Sequence, residues 1–298
     1  MKYKTSPSRV VFMIFAVTFL IFILLISVIP LWHVMMGSIS NPTATTTSRS
    51  LILAPLKNLD FQAYRIIGQY KKLWSGYLNT IIYIIMQCVI TGLLVTIGGY
   101  IFSRKRFKMR NAFMLFISAT MLFNGGMIPM YMIVRNLHML DTRWAIVLPG
   151  AIGVFNIIMM RTSMEGIPDA LEEAARLDGA GELIIMFRII LPLCKATFAV
   201  IMLFTAVGKW NDYMSALMYL PNRTDLYPLQ MTLRSILFNI STATSDMTAQ
   251  MNMADSVTMY QKSIEYAVIV VSTLPVLCIY PFVQKYFVSG VTLGAVKS

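Results

Sequence analysis

The sequence is poor in charge: Asp, Glu, Lys and Arg make up 13% of its 298 residues, and long stretches carry none of them. Soluble domains carry about a quarter charged residues, so an ordinary water-soluble fold is excluded. The three cysteines, Cys88, Cys194 and Cys278, sit in or beside apolar runs without metal-ligand spacing. Neither a disulfide framework nor a zinc site follows. The two histidines, His33 and His138, fall near the predicted outer ends of apolar spans with no second ligand nearby in sequence. No Gly-x-x-x-x-Gly-Lys-[Ser/Thr] loop is present, because the one Gly-Lys pair, Gly208-Lys209, is followed by Trp210. Phosphate-loop chemistry is therefore absent. Asp-x-Asp is missing as well. That counts against a multi-pass membrane glycosyltransferase, the alternative from an enzyme class.

What is present is apolar surface, 57% of residues. A hydrocarbon core about 30 Å thick takes roughly 20 apolar residues as a helix rising about 1.5 Å each. Charge-poor windows at 10–35, 79–102, 112–134, 144–161, 196–218 and 266–286 predict six spans, with both chain ends on one side. The N-terminal Lys2, Lys4 and Arg9 precede an apolar run, Val10 to Leu31, that is too long for a typical signal peptide; it predicts a retained first span. The formal net charge of +12 reads as topology rather than nucleic-acid binding, because the basic residues flank apolar spans. The loop Arg104-Lys105-Arg106-Phe107-Lys108-Met109-Arg110 holds five basic residues in seven positions and predicts a cytoplasmic loop, with N- and C-termini cytoplasmic. The longer loop between spans one and two also carries Arg49, Lys57, Arg65, Lys71 and Lys72, but short loops weigh more. An apolar-periodic patch from Leu226 to Ile240 predicts a short helix within the polar outer loop 219–265. The 24 methionines fit adaptable packing.

Span five is a poor lipid-facing helix. Its seven Leu, Ile, Val or Phe residues between Ala196 and Leu217 contribute on the order of −0.3 to −0.6 kcal/mol each, against about +2.5 to +3.5 for each of Lys209 and Asp212 if central. The charges outweigh the apolar gain, so this helix faces protein or a channel. Lys209 and Asp212 fit either a structural ion pair or a polar element of a substrate pathway. Trp210 and Asn211 fit either packing or sugar contact. Asn124 and Tyr131 are further pathway candidates, flanking Gly125-Gly126-Met127-Ile128-Pro129, where the chain either breaks beside a cavity or kinks at Pro129.

The loop 162–195 is too patterned to be a mere connection. Pro168 suits a first helical position, Asp169, Glu172 and Glu173 suit a helix N-terminus, and Asp178-Gly179 predicts a stop. Leu171, Ala174 and Ala175 form one small-residue face opposite Glu172, Glu173 and Arg176, and a second helix from Glu182 to Ile190 should stop at Pro192.

Glu173-Ala174-Ala175, three residues, Gly179, nine residues, Ile189, one residue, Leu191-Pro192 resembles the EAA motif of permeases in binding-protein-dependent ABC importers. The C-terminal Gly290-Val291-Thr292-Leu293-Gly294-Ala295-Val296-Lys297 and Trp210-Asn211-Asp212 resemble the MalG-type carbohydrate permeases. The Gly125–Pro129 segment looks more like their LplC/YtcP oligosaccharide branch. The likeness is strongest from about residue 75 onward. Lys195-Ala196 departs from the proline often found after the Leu-Pro, and 240–262 is unlike the maltose members.

The resemblance implies an all-α membrane protein of type I importer permease fold, with six transmembrane helices and a cytoplasmic coupling helix. Residues 1–75 would hold the tail, first span and outer loop, and 76–298 the permease core with EAA loop 162–195. Glu172, Glu173, Ala174, Ala175, Asp178, Gly179, Ile189, Leu191 and Pro192 would carry coupling to an ATPase. Gly290, Thr292, Gly294, Ala295 and Lys297 would mark the C-terminal signature. The implied partners are a second homologous permease, an ATPase dimer, an extracellular solute-binding protein, a sugar, and lipid, without nucleic acid. ATP and Mg would sit in the ATPase subunits, this chain binding no cofactor and catalysing nothing. A permease for a non-sugar solute is the alternative on the same scaffold.

Overall fold

The computed structural model describes residues 7–123, 125–241 and 260–278. Asn124, the C-terminal signature Gly290, Thr292, Gly294, Ala295 and Lys297, and the part of span six beyond Cys278 lie outside the described residues. Along the chain run α1 (Pro7–Ser38), α2 (Pro42–Thr47), α3 (Gln62–Gln69), α4 (Lys71–Ser103), α5 (Arg110–Ala119), α6 (Met127–Asn136) and α7 (Arg143–Val147, continued by a 3₁₀ turn to Gly150). They are followed by α8 (Val154–Glu165), α9 (Asp169–Leu177), α10 (Glu182–Leu193), α11 (Lys195–Trp210), α12 (Met214–Tyr219), α13 (Leu229–Ser241) and α14 (Tyr260–Cys278). Among the described residues no β-ladder forms beyond one isolated bridge, Ser40 to Leu59. Among the described residues three helices, α1, α4 and α14, are long and apolar enough to cross a membrane; counting the bent pairs α7–α8 and α10–α11 as spans gives five.

The chain divides into two units: Met1–Lys71 with Ser235–Leu274, and Lys72–Arg234 with Pro275–Ser298. In the first, α1 runs unbroken through Pro30 with its apolar side chains exposed from Val10 to Trp32. Its C-terminal end is anchored by polar contacts. His33 Nδ1 accepts from the Ile52 amide at 2.9 Å, which leaves Nε2 to donate to the Tyr266 hydroxyl at 3.2 Å. His33 is thus fixed within the protein rather than simply interfacial. Gly37 lies where a Cβ would come 2.5 Å from the Tyr266 ring, so only glycine admits that approach. Asn41 caps α2, with Pro42 in its first turn.

The second unit is organised on α4. Its apolar surface is interrupted by Asn79, Tyr83, Gln87 and Thr91, each four residues after the last and all buried. Asn79 Nδ2 donates to the carbonyls of Asp225 (2.8 Å) and Tyr227 (3.2 Å), and the Tyr83 hydroxyl donates to Leu226 O at 2.7 Å. Gln87 Nε2 donates to Gly150 O at 2.6 Å and Thr91 Oγ1 to Ala151 O at 2.9 Å. Gly150 and Ala151 mark the 51° break between α7 and α8. Non-helical backbone at membrane depth survives only where its polar groups find partners, and α4 supplies them.

Two predicted spans differ in detail. The window 112–134 is two ten-residue helices, α5 and α6, separated at Gly126, whose φ is +87°. That backbone value suits glycine alone and sets where α6 starts, while α5 has already ended at Ala119. Pro129 then falls in the first turn of α6, where its missing N–H leaves no bond unmade, and it is not the kink. Span five is cut at Trp210, and residues 214–219 form the separate α12. The short helix expected over Leu226–Ile240 is present as α13.

Candidate functional site

The coupling candidates Glu172, Glu173, Ala174, Ala175, Asp178 and Gly179 all lie on α9 and its C-terminal turn. The turn is a Schellman motif: Gly179 N–H donates to Arg176 O (3.0 Å) and Ala180 N–H to Ala175 O (2.9 Å), with Gly179 at φ +81°. The predicted stop is therefore present. Pro168 caps α9 from one residue outside it, at ψ 132°, and Asp169 takes the first helical position. The exposed carboxyl of Asp169 is held below the usual range by the hydrogen bond and charge of Lys105, 2.9 Å away.

The faces of α9 differ from the sequence reading. Glu172 and Ala175 point inward, while Leu171, Glu173, Ala174, Leu177 and Asp178 point out, Leu177 being 90% exposed. Glu172, a charged side chain assigned to the outer face, is 4% exposed. Burying it is tolerable only because it is fully paired. Arg104 Nη1 donates to its Oε2 at 3.0 Å; the Tyr100 hydroxyl (2.5 Å) and Arg176 Nη2 (2.8 Å) donate to its Oε1. The Tyr100 hydroxyl also lies 2.8 Å from Glu182 Oε2, and Arg176 bridges to Glu182 at 3.0 Å.

The second arm, α10, passes through Pro192 to Leu193 instead of stopping before it. Residues Ile185–Ile190 form a π-helical stretch just upstream. Its wider turn makes room for the proline ring, which in a regular α-helix would strike the carbonyl four residues back. After Cys194 the chain turns by 85° into α11. Ile189 and Leu191 pack, partly buried, on the cluster of Met160, Met164, Ile185 and Ile190, and Pro192 is exposed. The motif therefore splits: Glu173, Ala174, Asp178 and Gly179 are outward, and Glu172, Ala175, Ile189 and Leu191 inward.

The pathway candidates are not gathered into one site. Lys209 Nζ donates to Asp212 Oδ2 and to Ile146 O, both at 2.9 Å, and Asp212 Oδ1 accepts from the Ser215 amide at the start of α12. These bonds tie α11, α7 and α12 together, a structural ion pair. Trp210 is buried against Tyr77, ring centroids 6.1 Å apart, while the exposed Asn211 bonds back to Val207 O. Tyr131 stacks on Tyr219 at 6.4 Å. Among the described residues no group of three or more His, Cys, Asp or Glu is placed to hold a metal ion.

Sequence reading missed Tyr100 and took Arg104 for a topology marker only. The signal was there: polar residues one turn apart, at 79, 83, 87 and 91 and again at 100 and 104, in a helix otherwise fit for lipid.

Known proteins share both the sequence and the fold. The polygalacturonan/rhamnogalacturonan transport system permease protein YtcP of Bacillus subtilis (strain 168) is 37% identical over 94% of this chain and 96% of its own length. Protein LplC of the same organism is 35% identical over 91% and 90%. A chain from the crystal structure of a bacterial ABC transporter involved in the import of the acidic polysaccharide alginate superposes with a TM-score of 0.85 at 33% identity, covering 95% of this chain and 99% of that one. Residues 69–293 match the family described as binding-protein-dependent transport system inner membrane component. Members of this family are transport permeases, not enzymes, and the chain belongs to the binding-protein-dependent transport system inner membrane component family.

Proposed function

We propose that this permease passes a sugar or oligosaccharide, delivered by an extracellular solute-binding protein, along a pathway shared with a second, similar permease. An ATPase dimer, which holds ATP and Mg, docks on α9 from the cytoplasm, and both termini lie on that side. One observation carries the docking: the outward edge of α9 offers Leu171, Glu173, Ala174 and Leu177 to solvent while its inner edge is bolted to the chain's own helices. Small residues let another surface approach closely, and Glu173 offers it a charge. Glu173, Ala174, Asp178 and Gly179 are the contacts, with Glu172, Ala175, Ile189 and Leu191 as their support.

The cargo reading is supported by the relatives' names. YtcP is named for polygalacturonan and rhamnogalacturonan, and the superposed transporter imports alginate, an acidic polysaccharide. An oligosaccharide bearing uronic acids is the cargo we favour.

Cysteine cross-linking from Leu177→Cys in the assembled importer is expected to capture an ATPase subunit, and deleting the ATPase to abolish uptake of radiolabelled trigalacturonate. Uptake that persists without an ATPase would sink the reading. Uptake of a neutral maltodextrin in preference to trigalacturonate would correct the cargo alone.

A further inference from the structure

We infer that Tyr100 in the last turn of α4 and Arg104, the residue just beyond its end, form with Glu172 of α9 the joint through which movement of the docked helix enters the second span. The inference rests on the proposed docking of α9 and assigns positions that the motif itself does not. Glu172 immediately precedes Glu173-Ala174-Ala175, yet its carboxylate is turned away from any partner and occupied from within. Arg104 divides its guanidinium among three elements: Nη1 to Glu172 on α9, Nη2 to the carbonyl of Met164 in the last turn of α8 at 2.9 Å, and Nε to Ser103 on α4 itself at 3.0 Å. Tyr100, one turn earlier, gives its one hydroxyl proton to Glu172 and lies against Glu182 of α10, which Arg176 ties in at 3.0 Å.

Four elements thus meet at the C-terminal end of α4. Separating Arg104 from Glu172 would leave a buried guanidinium without its carboxylate and Glu172 with only the part-exposed Arg176, so these elements move together or not at all. Two neighbouring ion pairs differ in this respect. Lys105–Asp169 and Arg106–Glu182 span similar sequence distances, but each of their four side chains is at least half exposed. Water and salt screen them, and they transmit little. From the joint, α4 runs unbroken for 33 residues, about 50 Å at 1.5 Å per residue. A push on α9 therefore acts on the end of a continuous rod.

The test uses the whole importer in proteoliposomes, with Cys88, Cys194 and Cys278 replaced by alanine and nitroxide labels on Leu183→Cys in α10 and Ile85→Cys in α4, both exposed positions. With the joint intact, the distance between labels is expected to be one narrow distribution that does not shift between nucleotide-free and ATP-trapped states. Tyr100→Phe, which removes one oxygen and keeps the ring, and Glu172→Gln, which keeps shape and removes charge, should each broaden it at least twofold. Tyr100→Phe should also lower trigalacturonate uptake per ATP hydrolysed about tenfold while hydrolysis continues; a general folding fault would lower both together and leave the ratio unchanged. An intact-joint distance that shifts with nucleotide, or an unchanged distribution in Tyr100→Phe, overturns the joint. So does an unchanged uptake ratio. If Glu172→Gln fails to insert, Tyr100→Phe decides alone, and the label distance decides whichever sugar is carried. Failure of α9 to cross-link to an ATPase refutes the docking instead, and is read separately.

Discussion

Helices α1 and α4 have nearly the same length, 32 and 33 residues, and both pass as spans, with mean hydropathies of 3.1 and 2.2 over their most apolar stretches. They are built for different work. None of the apolar window of α1 is buried within the chain, against a third of that of α4. α1 presents Val, Ile, Leu and Phe on all sides and has polar partners elsewhere in the chain near its C-terminal end, at Trp32, His33 and Ser38. α4 carries a polar stripe one turn apart along one side and uses it to hold the loose ends of its neighbours. Hydropathy alone cannot separate the two, because a few well-spaced polar residues barely move an average while deciding what the helix touches.

That contrast can be broken by mutation, and thermal unfolding in detergent, followed by size-exclusion of the surviving protein, would rank the effects. Arg104→Ala is expected to be the most damaging, at about 3–5 kcal/mol, because it removes the buried partner of Glu172 Oε2 and leaves that carboxylate only the part-exposed Arg176 and the Tyr100 hydroxyl. Gly99→Val follows, at about 1–3 kcal/mol, because a Cβ there would lie 2.8 Å from Met160 Cγ and the helices cannot part cheaply. Tyr83→Phe should cost about 1 kcal/mol by depriving Leu226 O of its donor. Leu20→Ala in α1 should change folding stability by less than about 0.5 kcal/mol, since the side chain is exposed. An equal loss from Leu20→Ala and Gly99→Val would erase the distinction between the helices.

Smallest is a pH effect at the exposed Lys105–Asp169 pair. Asp169 is depressed in the folded chain, so its contribution is complete above its ordinary value of 3.8 and fades only as pH falls through the lower folded value. The melting temperature should therefore show no step from this pair between pH 8 and pH 5, and 0.5 M salt should remove whatever appears below.

Much of this was legible in the residues. Gly179 announced a helix stop because a positive φ there is costly to any side chain, and the long apolar windows announced spans because their length matches a bilayer. The break between α5 and α6 was harder to read, since Leu122, Phe123, Met127 and Ile128 keep the composition apolar straight through it. The passage of α10 through Pro192 was hidden because a proline signals a stop only for regular α-helical geometry, and the π turn relaxes that geometry. Glu172 was misplaced for a related reason. Amphipathic reading sends carboxylates outward, and only the fold brings Arg104, 68 residues earlier, to meet this one. Lys209 and Asp212, by contrast, could be offered as a pair, as one of two readings, because their partnership is local.

The near right angle at Cys194 gives the hairpin a mechanical property of its own. Residues 195–210 extend about 24 Å from that elbow at 1.5 Å per residue. If the two arms keep their angle, tilting the short arm by roughly ten degrees sweeps the far tip of the long one through about 4 Å, taking its length from the same helical rise. So held, the bend acts as a crank: a small rocking of the short arm becomes a larger swing at the far tip of the long one.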